Sequence, residues 1–137
     1  MTDRFQELLN ELGPVFNLPL HLDKNNACAI QIDKHTIQLQ LDTSQENLFL
    51  FTKLTEIPPG KFRENVLQEA LIANSSPDPR PGIFAYLAAS NHLVLFQRYP
   101  LSILNGERLG HLFGAFLELG NAWRKAIESG RPKPLPR

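Results

Sequence analysis

The segment 36–41 restricts the possible folds of this chain most, because apolar and polar side chains alternate in it strictly. Ile37, Leu39 and Leu41 are separated by two glutamines. Successive side chains of a β-strand point to opposite faces, so this spacing puts the aliphatic residues on one face and the glutamines on the other. We therefore expect a strand with one buried and one solvated face.

Two further strands are predicted on either side of this segment. Residues 28–32 place two isoleucines around a glutamine, and residues 47–54 contain the continuous apolar run 48–51. Such a run is typical of a strand that is covered on both faces. The connections 33–35 and 42–46 are short enough for hairpins, so the three strands should pair antiparallel.

A helix is predicted before the strands. It should begin after a capping Thr2 or Asp3 and end at Gly13-Pro14, with a loop over 14–26 behind it. Its apolar residues recur at i, i+3, i+4 and i+7, which is one face of a helix. They are Phe5, Leu8, Leu9 and Leu12.

After the break at Pro58-Pro59-Gly60, a second helix is predicted over about 61–74. The Pro-rich segment 75–82 behind it must be an exposed loop, because proline interrupts regular structure. Two strands then follow at 83–89 and 92–99, with a tight turn at Ser90-Asn91 between them.

The last predicted element is a long helix over about 105–129, with Asn105 as its N-cap and Gly130 at its end. The basic, Pro-rich residues 131–137 should form a flexible extended tail. The order is helix, three strands, helix, two strands, helix. We therefore predict one α+β domain over 1–130, with an antiparallel sheet packed by helices.

Composition excludes several classes of protein. Fourteen basic residues balance 14 acidic ones, so no electrostatic footprint for nucleic acid is present. Cys28 is the only cysteine, which favours a reducing compartment. No apolar segment near Met1 resembles a signal peptide, and no stretch approaches the roughly 18 apolar residues of a membrane helix. We expect a cytoplasmic protein without membrane insertion.

The search for catalytic or metal-binding patterns predicts neither an enzyme nor a cofactor. Gly60-Lys61 lacks the other residues of a phosphate-binding loop. The four histidines are not spaced as metal ligands, and we interpret them as surface residues. Cys28 is interpreted as a small buried side chain, and the glutamates of the helices are isolated. The histidines are His21, His35, His92 and His111.

Several apolar stripes have no assigned role after catalytic and metal-binding sites are excluded. The first helix and strand 36–41 could bound a groove for a partner, or both could simply complete the core of one molecule. The repeat Gly106-x-x-x-Gly110-x-x-x-Gly114 is interpreted as a packing seam of small residues. Phe49, Phe51, Phe84 and Phe96 lie in apolar runs and are core or interface residues.

Three features of the second half resemble class I type III secretion chaperones of the CesT/Tir-chaperone family. In that family the second helix ends in a Leu/Ala/Asn segment, here 71–74. The fifth strand leads into a Pro/Leu turn, here Pro100-Leu101, and the last helix carries a tryptophan near its end, here Trp123. The size and the order of elements match over nearly the whole chain.

The resemblance implies a homodimer that holds the N-terminal segment of a secreted effector in extended form, and it allows contact with components of the secretion apparatus. The dimer would form through the second helix and the strand behind it. Its implied residues are Phe62, Val66, Leu67, Leu71, Phe84 and Tyr86. The effector would contact the first helix and neighbouring strands. Its implied residues are Phe5, Leu8, Leu9, Leu12, Ile37, Leu39 and Leu50.

Two features depart from the family pattern. Its members are usually acidic, whereas this chain has a pI of about 6.9. The Pro-rich loop 75–82 and the tail 131–137 also extend beyond the common core. An alternative hypothesis is a scaffold or regulatory domain that binds a folded partner; a small hydrolase or transferase would need a residue cluster that the sequence lacks.

Overall fold

The computed structural model describes residues 3–16, 20, 22, 27–32, 35–42, 44, 46–77 and 79–135. Its elements are α1 (Asp3–Phe16), β1 (Ala27–Ile32), β2 (His35–Leu41), β3 (Asn47–Glu56), α2 (Lys61–Asn74), β4 (Ile83–Leu87), β5 (His92–Pro100), a 3₁₀ turn (Leu101–Ile103) and α3 (Gly106–Glu128). The predicted order of elements and the α+β class are confirmed.

The five strands form one antiparallel sheet in the order β1-β2-β3-β5-β4. Leu39 lies opposite Leu50 in the β2–β3 pair, and both are fully buried, while Gln38 between the buried positions is exposed. The alternation predicted for 36–41 is therefore confirmed. We call the face that carries Leu39 and Leu50 the inner face, and the face that carries Gln38 the outer face. The helices pack on the inner face, where the core lies.

The hairpin between β2 and β3 is organised by one carboxylate. Asp42 accepts hydrogen bonds from Asn47 Nδ2 and Ser44 Oγ, both at 2.8 Å. Because both bonds favour the ionised form, they lower the pKa of Asp42 to about 2. Its backbone N–H also donates to the Asn47 carbonyl at 3.0 Å.

The prediction that β3 is covered on both faces is wrong. Leu48 and Leu50 are fully buried on the inner face, whereas Phe49 and Phe51 on the outer face are only half-buried. All three helices contribute to the inner-face core, so the outer-face phenylalanines have only their neighbours on the sheet to pack against. Phe96 of β5 is one of them.

The first helix does not end at Gly13-Pro14 as predicted, but at Phe16. A proline normally pushes the preceding residue out of the helical region, because its ring clashes with that residue's Cβ. Gly13 has no Cβ, so the helix can pass through this pair. Of the proposed caps, Thr2 and the Asp3 side chain lie outside the described residues, as do Asp33 and Lys34 of the first predicted turn.

Helix α3 has the caps that the sequence predicts. The Asn105 side chain accepts a hydrogen bond from Arg108 N at 2.8 Å. At the other end, Gly130 has a φ of 84° and donates to Ile127 O at 3.0 Å, while Arg131 N donates to Ala126 O at 2.8 Å. These two bonds form a Schellman motif, which satisfies the last carbonyl groups of the helix.

Helices α1 and α3 approach each other at the glycine seam. A Cβ added to Gly106 would lie 2.3 Å from the Glu11 Cβ, so only glycine fits there. Glu11 Oε1 also accepts from Gly106 N at 3.0 Å, which places a carboxylate at the positive end of α3. A Cβ added to Gly110 would lie 3.9 Å from Val15 Cγ2 of α1, whereas one added to Gly114 would meet nothing within 4 Å, so the seam covers two of the three glycines.

The loop between β4 and β5 is longer than the predicted two-residue turn. β4 ends at Leu87 and β5 begins at His92, so four residues connect them. Asn91 has a φ of 58°, a left-handed conformation that asparagine tolerates better than most residues. Its carbonyl accepts from Ile57 N at 2.7 Å, which ties the loop to the end of β3.

Candidate functional site

The seven side chains that the resemblance assigns to effector binding are all fully buried, at 0% exposure. The apolar stripe of α1 belongs to the same buried cluster as the inner face of the sheet and α3, so among the described residues it closes the core. As the structure stands, these positions are inaccessible to a partner. They are Phe5, Leu8, Leu9, Leu12, Ile37, Leu39 and Leu50.

The residues assigned to a dimer interface are placed differently. Val66 and Phe84 are buried, Phe62, Leu67 and Tyr86 are half-buried, and Leu71 is 70% exposed. Four of the six, Leu67, Leu71, Phe84 and Tyr86, line one apolar hollow of about 160 Å³ between α2 and β4. We call this the α2–β4 hollow.

One exposed apolar residue of α2 was missed from the sequence. Ile72 is 57% exposed on α2, next to Leu71 in the chain. Large aliphatic side chains with this much exposure leave apolar area in water, which is typical of surfaces that bind a partner. The available signal was that 70–73 is a continuous apolar run, too wide for the single face by which α2 packs.

A polar network fixes one wall of the α2–β4 hollow. Arg63 donates from Nη1 to Tyr86 Oη and to Asn91 Oδ1, both at 3.2 Å, and the Tyr86 hydroxyl also donates to Asn91. The Arg63 guanidinium carbon lies 5.7 Å from the centre of the Tyr86 ring. These contacts hold the Tyr86 ring in place, so the hollow is preformed.

The other wall is held by Asn74, whose role was not predicted. Its side-chain amide donates to Phe84 O at 2.9 Å and accepts from Phe84 N at 2.8 Å. Because β4 is an edge strand, these two backbone groups would otherwise be open to a further strand. Asn74 therefore closes the edge of the sheet at Phe84 and joins α2 to β4.

The outer face of the sheet carries a second apolar surface. Phe49 lies 6.4 Å from Phe51 and 5.9 Å from Phe96, measured between ring centres. All three are half-buried. We call them the phenylalanine patch. Phe84, in contrast, packs in the core at 4.4 Å from Trp123.

The interpretation of His35 as a surface residue is wrong, because only 3% of it is exposed. It starts β2 on the inner face, two residues before Ile37. Its Nε2 lies 2.8 Å from Arg124 Nε and 2.7 Å from Asn121 Oδ1, so it either accepts from the arginine or donates to the amide. His111 is exposed and His92 half-buried, while His21 lies outside the described residues.

No group of three or more His, Cys, Asp or Glu side chains in the described part of the chain could hold a metal ion. Cys28 is buried, as expected from the sequence. None of the described helices is long and apolar enough to cross a membrane.

The described part of the tail lies against the domain. Lys133 Nζ is 3.5 Å from Glu69 Oε1 of α2. Pro134 faces Pro81 and Leu119 across a shallow hollow. The tail carries three of the 14 basic residues, so residues 1–130 hold 14 acidic and 11 basic side chains. The domain itself is therefore acidic, and the near-neutral pI depends on the tail.

Solved structures share this fold. A chain of the HopA1–SchA chaperone–effector complex superposes with a TM-score of 0.70 and 23% identity, over 90% of this chain and 94% of that one. A chain of the ExoT–SpcS complex from Pseudomonas aeruginosa gives 0.68 and 18%, over 88% and 97%. The Yersinia pestis type III secretion chaperone SycH, solved with a fragment of YscM2, gives 0.68 and 16%, over 83% and 94%.

No curated protein sequence matches the chain. A family model, in contrast, matches residues 7–124, which is most of the chain and extends from α1 nearly to the end of α3. The order of elements, the five-stranded sheet and this match agree with one another. The chain belongs to the Tir chaperone protein (CesT) family.

Proposed function

We propose that this protein is a cytosolic type III secretion chaperone, which binds the N-terminal segment of one or more effectors in extended form and keeps it competent for secretion. The observation that carries the proposal is the family match over residues 7–124. It is supported by the solved proteins of the same fold, among which are a chaperone–effector complex and a secretion chaperone bound to a protein fragment.

We infer that the protein acts as a homodimer through the α2–β4 hollow. Leu71 and Ile72 leave apolar area exposed at this place, and a two-fold contact would bring each copy's exposed aliphatic residues against the other's hollow. Phe62, Leu67 and Tyr86 would lie around them, while Val66 and Phe84 support the surface from below.

For the client we infer strand addition at the β1 side of the sheet. β1 and β4 are the two edge strands, and the β4 edge is closed at Phe84 by the Asn74 amide. An extended segment that pairs with the 29–32 part of β1 gains backbone hydrogen bonds without any change of the core. In this proposal the client contacts the β1 edge, and it does not contact the seven buried residues that the resemblance assigns to effector binding.

The client assay is co-purification from the source cell with a tag on this chain, followed by mass spectrometry of the bound proteins. We expect a secreted protein, and we expect its isolated N-terminal segment to bind as well as the whole protein does. Binding that requires the intact, folded partner would instead support the scaffold hypothesis. Recovery of no secreted protein at all would contradict the proposed function.

A further inference from the structure

The outer face of the sheet is the largest part of the described structure that no helix covers. The exposed positions Ala29, Thr36, Gln38 and Ala85 lie on it, and so does the half-buried phenylalanine patch. The three aromatic rings, with Ile83 opposite Phe96, form an apolar centre on this face, and Thr36, Gln38, Lys53 and Arg98 supply polar side chains around part of it. The patch lies on β3 and β5, away from the α2–β4 hollow.

The patch continues into a depression toward β1. Ala29, Thr36, Gln38, Phe51 and Lys53 line a shallow hollow of about 350 Å³. The two small side chains, Ala29 and Thr36, leave room beside the Phe51 ring for an aliphatic side chain of a partner. The surface is therefore shaped for a segment that runs across the strands from Phe96 toward β1.

The charged side chains next to the three rings are cations. Arg98 lies directly opposite Phe49 in the β3–β5 pair, and Lys53 lies opposite Val94. Both cations are exposed. On the outer-face positions of the described strands the one carboxylate is Glu56, which lies opposite His92 and is the next outer-face position beyond Lys53.

This pattern argues against a second copy of the chain as the occupant. A two-fold contact centred on the patch would bring the two cations of one copy close to the two cations of the other. Like charges at an interface oppose association, whereas carboxylates from a partner would pair with both cations.

We propose that the phenylalanine patch, with Lys53 and Arg98 beside it, is a docking surface for an extended client segment that has apolar side chains at alternate positions and, on the same face, a carboxylate at each end. The proposal rests on the proposed function, since it describes what one part of the client looks like. The apolar side chains would lie on the three rings and in the hollow beside Phe51, and the carboxylates would pair with the two cations.

The test uses two blocked peptides as probes, Asp-Ser-Leu-Ser-Phe-Ser-Asp, whose apolar and acidic side chains share one face when extended, and its counterpart with lysine in place of aspartate. Each is titrated into the full ¹⁵N-labelled chain, and amide shifts are followed by NMR. We expect the acidic peptide to shift amides of β3 and β5 and to bind about tenfold more tightly than the basic one. Added salt should weaken this binding.

The double variant Lys53→Glu/Arg98→Glu should reverse the preference between the two peptides, because both side chains are exposed and the fold does not depend on them. The matched control Arg108→Glu/Lys125→Glu changes the net charge equally on exposed positions of α3, and its affinities should stay within about twofold of wild type. Phe51→Ala should weaken the binding of both peptides, while the amide chemical shifts of α1 and α3 stay unchanged.

Equal affinity for the two peptides, or shifts confined to α1 and α2, would overturn the proposal. So would shifts in β3 and β5 that depend on protein concentration and not on peptide, because they would identify a second copy as the occupant. The co-purification assay separates this inference from the proposed function. If Lys53→Glu/Arg98→Glu recovers the wild-type amount of client, the docking surface is wrong and the chaperone function stands.

Discussion

The hydroxyl group of Tyr99 lies in the core without a hydrogen-bond partner among the described residues. Only 8% of Tyr99 is exposed, and its burial raises the pKa to about 12, because the ionised form is poorly solvated there. A buried polar group without a partner lowers stability, since it loses its hydrogen bond to water and gains none. Removal of the Tyr99 hydroxyl should therefore raise the stability of the folded protein.

We expect Tyr99→Phe to raise the free energy of unfolding by about 1 kcal/mol, measured by urea denaturation at pH 7. The matched control is Tyr86→Phe, which removes a hydroxyl bonded to Arg63 and Asn91 and should lower stability by a similar amount. Equal effects of the two variants on the free energy of unfolding would contradict the conclusion that the Tyr99 hydroxyl has no hydrogen-bond partner.

Tyr99 also predicts a pH dependence. Its pKa is about 12 in the folded protein and about 10 in the unfolded chain, so the unfolded state loses the proton first. The wild-type protein should therefore lose stability between about pH 10 and 12. Tyr99→Phe should lack this part of the loss in denaturation series across that range.

Leu9→Asp separates a core position from an accessible binding position. Leu9 is fully buried, so the variant buries a charge without a partner, and we expect unfolding or a loss of several kcal/mol. Asn10→Asp introduces the same charge at an exposed neighbour and should keep the circular dichroism spectrum and melting temperature. A folded Leu9→Asp protein that fails only in client binding would restore α1 as part of the client site.

At the scale of elements, the close contact between α1 and α3 makes a paired prediction. Gly106→Ala places a Cβ against Glu11 and should lower stability by about 1–3 kcal/mol. Gly114→Ala meets nothing within 4 Å and should raise stability by about 0.5–1 kcal/mol, because alanine is the better helix former. Denaturation of both variants checks the pair, and a loss in both would extend the seam to Gly114.

The contact between α2 and β4 depends on one side chain. Asn74→Ala removes both hydrogen bonds to Phe84, and we expect faster hydrogen exchange of the Phe84 amide and a loss of about 1–2 kcal/mol. Ser75→Ala changes the next residue, whose side chain bonds only within α2, and serves as the control. Unchanged exchange at Phe84 would show that the edge does not need Asn74.

The elements were predictable because the hydrophobic period is a property of each segment alone. The hydrophobic pattern predicted α2 at its observed bounds and most of the strands to within one or two residues. The passage of α1 through Pro14 depends on the missing Cβ of Gly13. The burial of His35 follows from β2 beginning at this residue, which the sequence had placed in the connection before the strand. The exposure of Phe49 and Phe51 depends on how many helices cover the sheet, which no single segment encodes.

At the scale of the whole molecule, the amount of exposed apolar surface predicts the state of association. Light scattering should return about twice the monomer mass of 15.5 kDa at micromolar concentration. Leu71→Asp places a charge in the centre of the inferred interface and should give a folded monomer, because Leu71 is 70% exposed and contributes little to the core.

His111→Asp adds a charge at an exposed position of α3 and should leave the dimer unchanged. Val66→Asp should unfold the protein, since Val66 is fully buried. A monomer in the wild-type sample, or a Leu71→Asp variant that is still a dimer, would contradict the inference that the protein dimerises through the α2–β4 hollow.

The amide of Asn74 also has a consequence for growth into fibres. Copies that pair edge to edge form an open-ended filament only when both edge strands of each copy can pair with a neighbour. Each copy must contact one neighbour on one edge and a second neighbour on the other. Here the β4 border is closed at Phe84 by a side chain of the same molecule. If the client adds to β1 as proposed, this closure opposes growth of the loaded chaperone into a polymer.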